Sequence, residues 1–152
     1  MNKETYQKIE SKFDLIETVL VVITAVSFGL LAKTVAYSQY GVYVGLTLLA
    51  FLYWIMGMKP IDGVETRMRR TSRKIVFLSY AISCLGIMSS CRFDSADASS
   101  DALLIVAGCA LLIGVVMISV EHFNKKIEKI TSLLVRSAVF AILILWFLAM
   151  GN

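Results

Sequence analysis

From Thr34 to Met58 the chain runs 25 residues without an Asp, Glu, His, Lys or Arg, and from Ala102 to Val120 it does so again for 19. A bilayer's hydrocarbon core is ~30 Å thick, and an α-helix rising ~1.5 Å per residue crosses it in about 20 residues. These runs therefore have the length of membrane spans. Composition agrees. Hydrophobic residues make up 58% of the chain, charged ones only 17%, and mean hydropathy is +0.77. Apolar residues make up about half of an ordinary soluble domain. At 152 residues, so little charge could not cover so much apolar surface in water.

The same reading extends to three more runs. The chain is expected to be a single all-α domain, a polytopic membrane helix bundle with five transmembrane helices near residues 14–36, 41–58, 75–90, 102–120 and 130–149. Residues 1–13 carry Tyr6, Ile9 and Phe13 at helical spacing, which predicts an amphipathic lead along the membrane surface. The first run follows a charged lead and has no small-residue cleavage site, so it reads as a retained helix and not a signal peptide. Met88-Ser89-Ser90-Cys91 has the form of a lipoprotein processing site, but it lies past mid-chain, where such sites do not act. The third run spans only ~24 Å at ~1.5 Å per residue, so Arg73 and Lys74 at its start must snorkel or the bilayer must thin.

Charge predicts how these spans are threaded. Lys59 to Lys74 holds six of the fifteen Lys and Arg residues and the only proline. Placing the N-terminus, this loop and residues 121–129 on one side puts twelve basic residues there, against Arg92 alone in the opposite loops. Basic loops stay on the cytoplasmic side, so the N-terminus is expected inside and the C-terminus outside a bacterial inner membrane. Arg67, Arg69, Arg70, Arg73 and Lys74 are then placed to touch anionic headgroups on the inner face. Nucleic acid is not an expected partner, because the basic stretches are short and lack interleaved aromatics.

Few residues could carry chemistry. Spans 2, 3 and 4 contain no ionisable Asp, Glu, His, Lys or Arg, which argues against a proton-coupled pump. Arg136 lies nearly two turns into span 5, where a charge costs up to about 2.5–3.5 kcal/mol. Glu17 lies at a comparable depth in span 1. Two readings stand: the pair meets inside the membrane, or Arg136 snorkels to inner headgroups. Asp94, Asp97 and Asp101 would share a helical face able to hold a hard cation, but in a loop they are solvated charge, and no metal is expected. His122 is the only histidine and is expected to line the inner interface. Cys84, Cys91 and Cys109 lack CxxC spacing; the first and third read as small hydrophobes, while Cys91 could pair between chains or stay free. No catalytic or nucleotide-binding motif is present, so no cofactor and no enzymatic activity are expected. Gly41 and Gly45 at GxxxG spacing, and Gly108, Ala110 and Gly114, mark faces where helices approach closely.

Spans 1–2 and 3–4 also align as a possible repeat of a helical hairpin. The first hairpin, SFGLLAKTVAYSQYGVYVGLTLLAFLYW, resembles the membrane hairpin of the gliding-motility and type IX secretion motor stator family. The shared features are Gly29 followed by Lys33, a short aromatic turn, and Gly45 in an apolar second helix. The resemblance implies a shared helical module. That family places a membrane glutamate in its second helix for proton-driven motion; Leu49 stands here, which argues against motor activity. The expected role is that of a small accessory or scaffold subunit, with a homo-oligomer or other membrane subunits as partners. The alternative is an oligomeric channel or small-solute transporter.

Overall fold

The computed structural model describes residues 11–33, 37–58, 70–91, 98–123 and 130–150. They form five helices and, among the described residues, no strand: α1 (Phe13–Ala32), α2 (Ser38–Met58), α3 (Arg70–Ser90), α4 (Ala98–Phe123) and α5 (Ile130–Met150). Four contain segments long and apolar enough to cross a membrane: Phe13–Leu30, Ser38–Met58, Ala102–Phe123 and Thr131–Ala149.

Successive helices run antiparallel. The Tyr43 hydroxyl near the start of α2 donates to the Cys91 carbonyl just past α3. At the opposite end Ser72, in the first turn of α3, donates to Glu121 near the end of α4. The starts of α1, α3 and α5 therefore share one end of the bundle with the ends of α2 and α4.

The helix that falls short in apolarity, α3, is the central one. It packs on α2, α4 and α5. Val76, Tyr80, Ser83, Cys84 and Ile87 are all fully buried. Its hydroxyls bond back to its own carbonyls, Ser79 to Val76 and Ser83 to Ser79. A helix packed on three others need not be apolar all round, because those neighbours shield most of it from lipid. α3 itself turns out only a narrow strip with Leu78 and Leu85, while the outer helices turn broader rows of long apolar residues outward, among them Val22 and Val26 of α1, Leu112 and Val116 of α4, and Ile142 and Leu145 of α5.

The other helices each bury a stripe. In α1 it is Phe13, Glu17, Leu20, Thr24 and Phe28; in α4 it is Leu104, Ala107, Leu111, Gly114, Ile118 and Glu121. The α4 spacing alternates 3 and 4, the period of a seam between two helices. Several boundaries differ from expectation: α1 ends at Ala32, and α2 begins at Ser38, α3 at Arg70 and α4 at Ala98, within what were expected to be connections. Phe13 is buried at the start of α1, and α4 continues through Glu121 to Phe123 where a polar turn was expected. In these last two places a tertiary contact carries the helix on: Phe13 packs on Tyr53 and Phe77, and Ser72 holds Glu121. Residues 1–10 of the lead, Asp94 and Asp97, Arg67 and Arg69, and the side chains of Arg70 and Asp101 lie outside the described residues.

Small residues line the seams within one chain. A methyl on Gly41 would strike Ser27, one on Gly45 would strike Thr24, and one on Gly114 would strike Ser79. Gly41 and Gly45 thus close α1 on α2, and Gly114 closes α4 on α3. Gly108 faces Ile144 at ordinary contact distance, and Ala110 is half-buried.

Candidate functional site: a buried charge pair among aromatic rings

Glu17 and Arg136 come together across α1 and α5. Glu17 is second in the α1 stripe and 8% exposed. Arg136 stands one residue before Ser137 in the α5 stripe of Leu133, Ser137, Phe140 and Ile144. The Arg136 Nε donates to Glu17 Oε1 at 2.6 Å, and Nη2 donates to Oε2. This fork is the strong geometry for a guanidinium on a carboxylate. Nη2 also reaches Asp14 Oδ1 at 3.2 Å, at a side chain that is 92% exposed. Of the two readings the sequence left open for Arg136, this arrangement corresponds to the pair.

Two further groups complete the site. The Tyr53 hydroxyl of α2 donates to Glu17 Oε1 at 2.6 Å. Glu17 therefore accepts three hydrogen bonds from two helices, as a carboxylate removed from water requires. The Arg136 guanidinium carbon lies 5.2 Å from the Phe13 ring centroid, within cation–π range. Around them Tyr53 packs on Phe77, Tyr80 and Phe140 at ring separations of 6.4, 5.4 and 5.9 Å. The Tyr80 hydroxyl donates to the Leu133 carbonyl at 2.8 Å and lies 3.0 Å from Ser137 Oγ. One polar and aromatic layer thus ties together α1, α2, α3 and α5.

Tyr53 was not singled out in the sequence. Its signal is there: it continues the α2 stripe of Leu46, Leu49 and Ala50, and a buried tyrosine within a span needs a partner for its hydroxyl. Tyr53→Phe is expected to lower stability by about 1.5–3 kcal/mol, the usual worth of a hydrogen bond to a charged group. Unfolding in detergent measures it; the ring stays, so helix content should not change.

A second set of charges lies at the same end. Arg73 is 6% exposed; its Nε donates to the Met56 carbonyl at 3.2 Å, and its guanidinium stands 5.4 Å from the Phe77 ring centroid. The residue four on from Met56 is Pro60, which has no N–H to close the helical bond. Arg73 thus completes the end of α2, where the sequence placed it against lipid headgroups. Lys74 is half-buried. Glu121 is 3% exposed, with one oxygen bonded to Ser72 and the other without a hydrogen-bond partner among the described residues. It was expected in a polar turn; the α4 spacing that runs on to position 121 is the signal that could have placed it inside. His122, beside it, is exposed.

No group of three His, Cys, Asp or Glu suited to a metal is found among the described residues. Cys91 is buried and donates to the Ile87 carbonyl, and burial pushes its thiol up to about 12. At pH 8 it stays protonated, and the thiolate is the reactive form. Cys91 is therefore expected to resist iodoacetamide at pH 8 in the folded protein and to react on denaturation, with peptide mass spectrometry as the readout. That burial corrects the idea that Cys91 is open to pairing between chains.

No family model, curated protein or solved structure matches this chain.

Proposed function

We propose that the chain is a multi-pass protein of the bacterial inner membrane, non-enzymatic, serving as an accessory or scaffold subunit of a membrane assembly. The observation that carries this reading is how the interior charges are used. Glu17 is occupied by Arg136 and Tyr53, Arg73 caps α2, and Ser72 holds Glu121. These contacts join helices to one another at one end of the bundle and do not run along it, as a conduction path would require. The glycine seams are filled from within the chain. A partner, whether a second copy or another subunit, would therefore meet the outward apolar faces of α1, α4 and α5. The hairpin resemblance, without its motor glutamate, fits a structural module.

In this reading α3 is a fifth span, carried through the bilayer against α2, α4 and α5, with the N-terminus inside and the C-terminus outside. The basic loop between α2 and α3 then lies on anionic headgroups. Single cysteines at Thr66 and Ser95, in a background without the native cysteines, test the threading. A membrane-impermeant maleimide on intact cells should label position 95 and not 66, and the reverse would invert it. Recovery of a defined partner or discrete homo-oligomer from mild detergent supports the subunit role. The alternative, a channel or small-solute transporter, predicts flux by the pure protein in liposomes.

A further inference from the structure

We propose that Glu17 and the rings around it form a binding site for a small organic cation of the guanidinium or alkylammonium class, with Arg136 as its tethered occupant in the resting protein. A buried carboxylate beside aromatic faces offers a cation two attractions at once, the opposite charge and the ring quadrupole. Both are present. The Arg136 guanidinium is held edge-on by Glu17 and covered by the Phe13 ring, and Tyr53 donates to the same carboxylate. Of the interior charges at this end, Glu17 is the carboxylate with aromatic neighbours: Arg73 has the Phe77 ring but bonds to a carbonyl, and Glu121 bonds to Ser72.

The Arg136–Glu17 contact is also made by side chains alone. The backbone of α1 packs on α2, whereas α1 meets α5 through long side chains: the Arg136 pair and the Phe28–Phe147 contact, with centroids 5.9 Å apart. Withdrawal of one guanidinium therefore leaves the α1–α2 seam in place. Asp14 stands one turn nearer the surface, exposed, and already holds Nη2. The two carboxylates, three residues apart on α1, lead from the interface to the buried position. The site stands apart from the subunit reading: a subunit can carry it and a channel can lack it.

Arg136→Ala vacates the site in the full-length protein and leaves Glu17, Tyr53 and Phe13. Its thermal unfolding in detergent is followed with methylguanidinium chloride against equal sodium chloride. The expected result is a saturable rise in Tm with methylguanidinium, a smaller one with methylammonium, which lacks the planar fork, and none in Arg136→Ala/Glu17→Gln. In the wild type the rise should need a far higher concentration, because the tethered group competes at an effective concentration on the order of millimolar. Arg136→Gln serves where the alanine variant does not fold alone; folding of either one only in methylguanidinium also supports the site. A folded Arg136→Ala that responds no more than to sodium chloride overturns the proposal. So does an equal response in the double variant, a wild-type response at the same concentration, or failure of both variants to fold with or without the cation.

Discussion

Arg136→Ala is expected to cost about 3–5 kcal/mol of stability, because it leaves Glu17 buried without its counter-charge. The loss should appear in detergent as a drop in unfolding midpoint far larger than for any lipid-facing substitution on α5, such as Ile142→Ala. Glu17→Gln should cost less, since Arg136, 16% exposed, keeps Asp14 beside it. The informative comparison is the double change. Replacing both partners with apolar residues, as in Glu17→Leu/Arg136→Met, removes both desolvation penalties together and should be milder than Arg136→Ala alone. The Tyr53 hydroxyl would then be stranded, at about 1–3 kcal/mol, so adding Tyr53→Phe should recover part of the remaining loss. Should the double change cost as much as the sum of the singles, Glu17 and Arg136 would be energetically independent despite their contact.

The second large effect is expected where α3 crosses α4. A methyl on Gly86 would stand 2.6 Å from the Ala107 Cβ and 3.1 Å from the Leu103 carbonyl oxygen. Neither can rotate away, so the helices must separate. Gly86→Ala should therefore cost about 1–3 kcal/mol, the range for overpacking a filled core. Gly29→Ala is the matched control. Nothing lies within 4 Å of that position, and alanine in a helix interior is favoured over glycine by roughly 0.5–1 kcal/mol. The two changes should thus shift the unfolding midpoint in opposite directions. At Gly114 the obstacle is a serine side chain, which can turn aside, so Gly114→Ala should fall between them.

Gly86 also shows where reading the chain runs out. Ser90 stands four residues on in α3, but that spacing does not say that what fills the place beside Gly86 is Ala107 of another helix. Gly41 and Gly45 were recognisable as a close-approach face, but which helix approached was not. The partner proved to be α1 of the same chain, because a short connection folds α2 back against it. Arg73 was assigned to lipid by its place in a basic stretch. It turned inward because the carbonyl at Met56 lacked a helical donor and α3 brought the guanidinium within reach.

By itself the sequence determined that the chain is helical and apolar enough for a bilayer, with four of its five expected runs falling on helices long and apolar enough to cross one, because uncharged runs of ~20 residues have few other uses. It also singled out Glu17 and Arg136, because charge inside such runs demands an explanation. Only the tertiary structure decided that α3 is the central helix, that Tyr53 completes the Glu17 site, and that Glu121 and Arg73 face inward. Those outcomes depend on which helical faces meet, and residues separated by as many as 119 positions, as Glu17 and Arg136 are, have no local signal for that.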